Sequence, residues 1–161
     1  MLQYNQALFN NGTPNGIATI GVGNQVSNSC FRFNFRSMKL GCNSTDLPCQ
    51  FNITGLRNTG SDAQDTPVYW NVFNVTACPA KANCSLTPVD GDPTAFSDLT
   101  SMTIQLTIGN GLNGTWWGDD LQLSWTNNGC EEANCRSKVP NTILKRRRGV
   151  GSLGRWMMHS L

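Results

Sequence analysis

Residues 116–125, WWGDDLQLSW, set two adjacent carboxylates between a tryptophan pair and an alternating apolar run. Three uses suit such a pair: acid–base work on a glycosidic bond, coordination of a hard cation, or a polar anchor that closes a strand. Glycoside hydrolysis needs two carboxyls several ångströms apart with one bond between them. Neighbours on a regular strand leave opposite faces, so Asp119 and Asp120 cannot clasp one substrate from a regular strand. Asp119 shares its parity with Leu121, Leu123 and Trp125 and is expected to face inward, while Asp120 goes outward with Gln122 and Ser124. A bulge at Gly118 would exchange the two roles. An inward carboxylate is costly unless N–H groups or a cation satisfy it. The expectation is therefore an Asp at a strand entrance that ties down a loop through main-chain hydrogen bonds. The alternative is a calcium site in which Asp119 or Asp120 is joined by loop carbonyls, although no EF-hand-like ligand series accompanies them.

Other catalytic constellations lack their residues. The single histidine, His159, lies in the C-terminal tail, which removes Ser/His and Cys/His nucleophile arrangements and a histidine-ligated catalytic metal from the body of the chain. Glu131 and Glu132 are the only glutamates and sit together in CEEANC. A polysaccharide-cleaving enzyme would need Asp92 or Asp98 to converge on Asp120. The expectation is a protein that is not an enzyme and carries no cofactor, calcium being the one candidate.

The tryptophans offer binding chemistry instead. Trp116 and Trp117 are adjacent and must diverge, one packed and the other exposed, where a flat ring would stack on a sugar face. The candidate ligand-binding residues are Trp116, Trp117 and Asp120, with a cell-wall polysaccharide or surface glycan as the ligand. Trp70 and Trp125 are expected in the core.

These residues need a scaffold, and the sequence describes one by its period. Phe31, Phe33 and Phe35 alternate with Arg32, Asn34 and Arg36; Met102, Ile104, Leu106 and Ile108 alternate with Thr103, Gln105 and Thr107; Leu121, Leu123 and Trp125 alternate with Gln122 and Ser124. QFNIT repeats the pattern through Phe51 and Ile53. VYWNVFNVTAC starts in phase at Val68, Trp70 and Val72 and continues as Phe73, Val75 and Ala77, which predicts a β-bulge near Val72 and Phe73. Turn-forming segments separate these runs and no helical period occurs, so the fold class is all-β: an antiparallel two-sheet β-sandwich with disulfide-pinned loops. Residues 1–29 would supply one or two more strands. With 161 residues the chain suits one domain, placed at 1–136, followed by a basic tail at 137–161 that is expected to be unstructured.

The formal charge of +2 conceals a division. Residues 1–136 carry six Lys/Arg against all ten Asp/Glu, a net of −4, and residues 137–161 carry six Lys/Arg and no acid. A mildly acidic body argues against a nucleic-acid face. Within the tail, KRRR fits a solvated charge run, a processing site or a polyanion patch. No run approaches the roughly 18 apolar residues of a membrane span, and MLQYNQALFN lacks the basic start and apolar core of a signal peptide.

Seven cysteines point to an oxidising compartment. Spacing pairs Cys42 with Cys49, Cys78 with Cys84, and Cys130 with Cys135, each short loop contributing about 2 kcal/mol in the chain-entropy model. Cys30 is left with either a partner in a missing N-terminal segment or a free buried thiol. Six N-x-[ST] acceptor patterns, at Asn11, Asn43, Asn52, Asn74, Asn83 and Asn113, agree with an extracellular or cell-surface location.

From FNFRSMKLGC onward the order of features carries a resemblance: PCQFNITG, then NVTAC and CPAKANCSLT, then FSDLTSMTIQL, and finally WWGDDLQLSWTNNGC with CR after it. Over residues 31–136, and in YNQALFNNG, the chain resembles a jelly-roll-like domain of secreted fungal proteins of unknown function. The resemblance implies an extracellular jelly-roll-like sandwich, often attached to larger cell-surface proteins, and supplies no catalytic residues. The function expected from all of this is a secreted, non-enzymatic module that binds cell-wall or surface glycans. The alternative is a structural cell-surface or effector protein with a protein partner.

Overall fold

The computed structural model describes residues 2–5, 17–58, 65–77, 85–107 and 115–138. Its strands are β1 (Leu2–Asn5), β2 (Ile17–Gly21), β3 (Phe33–Cys42), β4 (Cys49–Arg57), β5 (Thr66–Val75), β6 (Thr87–Asp90), β7 (Ser101–Thr107) and β8 (Thr115–Trp125), followed by one helix, α1 (Cys130–Lys138). They form two four-stranded antiparallel sheets, β1-β8-β3-β6 and β2-β7-β4-β5. β1 pairs with β8, β2 with β7, β3 with β6 and β4 with β5, as in a long hairpin ribbon wrapped onto itself. That is the jelly-roll order, so the expected sandwich is present and residues 1–29 do contribute strands.

Alternation explains why the strands form and which way they face. In β4, Phe51 and Ile53 are buried and Asn52 and Thr54 are not; in β7, Met102, Ile104 and Leu106 are buried between partly exposed Thr103 and Gln105. Phe33, Phe35 and Leu40 of β3 close the core from the other sheet. Between the layers sits Phe96 of the β6–β7 connection, edge-on to Phe35 of one sheet at 5.6 Å and to Tyr69 of the other at 4.7 Å. Each such contact adds about 0.5–1.5 kcal/mol beyond burial. The turn that delivers Phe96 is built by Asp92, whose Oδ1 accepts from Thr94 N, Thr94 Oγ1 and Ala95 N. Those bonds, the Thr94 hydroxyl first, hold the Asp92 carboxyl below its ordinary pKa.

Three expectations need correction. First, β5 pairs without interruption through Val72 and Phe73; the shift lies where Gly55 and Leu56 face Tyr69 and Pro67, leaving Val68 as the extra residue. Tyr69, Phe73 and Val75 therefore face the core, and Val68, Trp70 and Val72 face out, with Trp70 at 63% exposure rather than in the core. Second, CEEANC is not a disulfide loop but the start of α1. Residues five apart on a helix point about 140° apart, which keeps Cys130 from Cys135. Third, Cys135 is bonded to Cys30, 105 residues away, which gives Cys30 its partner, and Cys130 is a free, exposed thiol. Cys42–Cys49 is bonded as expected and ties the end of β3 to the start of β4. Cys78 and Cys84, and the tail beyond residue 138, lie outside the described residues.

α1 buries no side chain, so apolar packing does not hold it. Glu131 and Glu132 in its first turn and Arg136 and Lys138 in its last complement the helix dipole. Besides the Cys30–Cys135 bond, Arg136 fastens it: Nη1 donates to Cys30 O and Asn127 O at 2.9 Å, and the guanidinium lies 4.8 Å from the centre of the Trp125 ring.

Peptide mapping without reduction is expected to recover Cys30 joined to Cys135 and Cys130 open to alkylation; a Cys130–Cys135 peptide would contradict the structure. In urea, the Cys30→Ser/Cys135→Ser variant is expected to lose about 5 kcal/mol, and Cys42→Ser/Cys49→Ser about 2 kcal/mol, because the first bridge closes a far longer loop.

Candidate functional site

The Asp pair occupies a place where two strands change face together. On β3 the apolar side chains turned into the core are Phe33 and Phe35, then Met38, Leu40 and Cys42; on β8 Trp116 and Gly118 are buried, and the inward side chains resume at Leu121, Leu123 and Trp125. Phe35 pairs with Leu123 and Lys39 with Asp119, equal steps along both strands, yet between them Ser37 pairs with Gln122. One extra residue on β3 is thus answered by one on β8. Each strand flips its apolar phase and the register is restored.

Asp120 is the residue that makes the turn-over on β8, with φ of +49°. Asp and Asn tolerate this left-handed region better than other side chains that carry a Cβ. Its N–H donates to Asp119 Oδ1 at 3.0 Å, and its Oδ2 pairs with Lys39 Nζ at 2.6 Å. The hydrogen bond from Lys39, then its charge, holds the Asp120 carboxyl below its ordinary pKa, and the same contact raises that of Lys39. The flip thus replaces the regular alternation on which an inward Asp119 was expected: inward parity passes from Gly118 to Leu121 across the pair. The positive charge at this spot is Lys39, and no group of three His, Cys, Asp or Glu side chains able to hold a metal occurs among the described residues. Asp98, also at positive φ, is paired with Arg57 at 3.1 Å. It adjoins Leu99, which bridges to Phe33, six residues along β3 from Lys39 and so roughly 20 Å away. Asp92 is spent on its turn. The convergence of Asp92 or Asp98 on Asp120 that hydrolysis would need is not what the fold builds.

The tryptophans separate as well. Trp116 is buried at 3% exposure and meets Phe51 of the opposite sheet edge-on at 5.5 Å, so it joins the two layers and offers no ring to a ligand. Trp117 faces the other way and is half-buried, with its ring beside Gly41 at a place also reached by Leu86. Trp125 is half-buried against Phe31 at 6.0 Å and Arg136.

Among the described residues the exposed tryptophan is Trp70, and its surroundings differ from those of the Asp pair. It lies on the outer face of β2-β7-β4-β5, where Thr54 is its neighbour across the strands. β4 presents Gln50, Asn52 and Thr54 there; β7 presents Thr103, Gln105 and Thr107; β2 adds Ile17 and Thr19; β5 adds Val68 and Val72. None of the outward positions of these four strands is Asp, Glu, Lys or Arg. Asp65 stands at one end, accepting from Ser101 Oγ at 2.8 Å. The outer face of the other sheet, by contrast, carries Arg36, Lys39 and Asp120, with Arg36 Nε donating to Ser124 Oγ at 3.0 Å. Sequence reasoning missed Trp70 because both phases of β5 contain apolar residues. The signal available was the match between an uncharged outward set on β4 and β7 and the VxWxV triplet beside it.

The chain belongs to the family described as Domain of unknown function (DUF7371), whose model matches residues 1–136. No curated protein and no solved structure matches it.

At position 120, Asn and Gly are expected to be tolerated and Val to lower the melting temperature by several degrees, since a β-branched side chain resists positive φ. The Lys39 pairing lowers the folded pKa of Asp120, so its contribution is present above the unfolded value near 3.8 and lost as pH falls through the folded value. The stability difference between wild type and Asp120→Asn, followed by thermal melts, should therefore shrink in acid, and also in 1 M salt because both groups are about half exposed.

Proposed function

We propose that this chain is an extracellular, non-enzymatic β-sandwich module that binds a neutral glycan of a cell wall or cell surface on the outer face of β2-β7-β4-β5. The observation that carries the proposal is Trp70, 63% exposed at the border of a sheet face with no charged outward residue. A sugar ring is apolar on its faces and polar on its rim. An indole ring supplies the stacking surface, and Thr hydroxyls with Asn and Gln amides supply both donors and acceptors for the rim. The face is a sheet surface rather than a cleft, which suits a polymer longer than the site.

Disulfides agree with an oxidising compartment, and no helix among the described residues is long and apolar enough to cross a membrane. The commitment of Asp92, Asp98 and Asp120 to a turn and to two ion pairs supports binding over catalysis. The resemblance to secreted fungal domains makes a wall polysaccharide a fitting ligand. A protein partner is the second reading, favoured by β5 itself. It pairs only with β4 among the described strands and carries Val68, Trp70 and Val72 exposed, the features by which an edge strand recruits another chain.

On insoluble chitin or β-glucan, wild-type protein is expected to be retained and Trp70→Ala to be released at least about tenfold more readily, with an unchanged melting temperature because the ring is exposed. Trp117→Ala is expected to leave binding intact. Retention of Trp70→Ala equal to wild type would refute the proposal.

The acceptor asparagines give an independent check. Asn43 and Asn74 are exposed, whereas Asn52 is half-buried in the middle of the face with its Oδ1 enclosed. Glycopeptide mass spectrometry of protein secreted by a eukaryotic host is expected to find Asn43 and Asn74 occupied and Asn52 bare; a glycan on Asn52 would cover the proposed site. Asn11, Asn83 and Asn113 lie outside the described residues.

A further inference from the structure

The register of the four strands orders the neutral face into rows. Trp70 pairs with Thr54, Thr54 with Thr103, and Thr103 with Thr19, so one line across the sheet reads Trp, Thr, Thr, Thr. The next line reads Val72, Asn52, Gln105 and Ile17. Each strand after β5 therefore adds one hydroxyl to the first line, and two of the three place an amide beside it. The hydroxyls of Thr54, Thr103 and Thr19 take part in none of the side-chain hydrogen bonds of the described residues. Threonine is β-branched, with few χ1 states on a strand, so these hydroxyls are already placed and lose little freedom on meeting a ligand.

Strands repeat about every 4.8 Å, which puts Thr19 roughly 14 Å from Trp70. One strand spacing is close to the advance of one pyranose ring in a chain linked equatorially at both ends. Resting on the glycan reading above, we infer that the ligand is a single extended β-1,4-linked neutral chain lying across the strands, its first ring on Trp70 and its following rims on Thr54, Thr103 and Thr19. A second geometric constraint narrows the class. Adjacent strands rotate by about 20–25°, so the face turns about this row as it advances. One free chain can turn with it. The flat surface of a crystalline polymer would touch Trp70 and then lift away, and a chain that coils by axial linkage would leave the row after one ring.

The test is calorimetric titration of the intact protein with soluble cello- and chito-oligosaccharides of two to six units, with maltotetraose as the axially linked comparison. Affinity for at least one β-1,4 series is expected to rise up to four units and then level off, and maltotetraose is expected to bind at least about tenfold more weakly. Thr103→Val, which keeps the β-branched shape, is expected to weaken tetraose binding about three- to tenfold, the worth of one hydrogen bond. Thr103→Ser is expected to restore it, and Thr107→Val, off the row, to change nothing. If Trp70→Ala abolishes binding while Thr103→Val matches wild type, the row is overturned and the Trp70 platform stands. Equal affinity for maltotetraose, or no gain beyond two units, overturns the extended β-1,4 class. Absence of binding to every oligosaccharide together with indifference of polysaccharide retention to Trp70→Ala overturns the row and the glycan reading alike.

Discussion

Burying Phe33 and Phe35 together with Met38, Leu40 and Cys42 from one strand is impossible while the strand keeps strict alternation, because the two groups have opposite parity. β3 resolves this by placing an extra residue at Arg36, and the neighbouring strand must then do the same or turn its own apolar side outward. β8 does so at Asp119–Asp120. The core of the β1-β8-β3-β6 sheet depends on this paired flip, and the carboxylates follow from it: one caps the N–H of the other, and the second finds Lys39 on the strand beside it. What resembles a catalytic pair in the sequence is the device that lets two strands change face in step.

That device also assigns the charges. Arg36, Lys39 and Asp120 cluster on the outer face where the flip occurs, while the opposite sheet packs its interior by regular alternation on β4 and β7 and keeps a neutral exterior. The two outer surfaces of one sandwich thus differ in kind. One carries the Lys39–Asp120 ion pair, weakened by solvent and salt, and the other is an array of hydroxyls and amides bordered by an indole.

The two disulfides among the described residues divide the labour between neighbours and termini. Cys42–Cys49 joins consecutive strands that belong to different sheets, pinning one corner of the sandwich. Cys30–Cys135 fastens a polar helix that no apolar contact would retain, and Arg136 adds hydrogen bonds and a contact with the Trp125 ring to the same junction. Covalent and cationic anchoring here replace the buried face on which helices in globular proteins ordinarily rely.

By itself the sequence determined the class of architecture and the local bridge. Period-two alternation in β3, β4, β7 and β8 leaves only layers of strands as a way to hide Phe33, Phe51, Ile104 and Leu123 from water, and the six residues between Cys42 and Cys49 leave them little room to miss each other. Tertiary structure decided whatever depends on contacts distant in the chain. Cys135 chose Cys30 over Cys130 because helix geometry parts the near pair and folding brings the far one within reach. The phase of β5 was undecidable locally, since Val68, Trp70 and Val72 are as apolar as Tyr69, Phe73 and Val75; only the pairing of Phe51 with Phe73 shows which set meets the core. For the same reason Trp70 lies outside the core in which it was expected, while Trp116 is the packed member of its pair: a tryptophan on a strand is core or platform according to the layer behind it, and that layer is supplied by other parts of the chain.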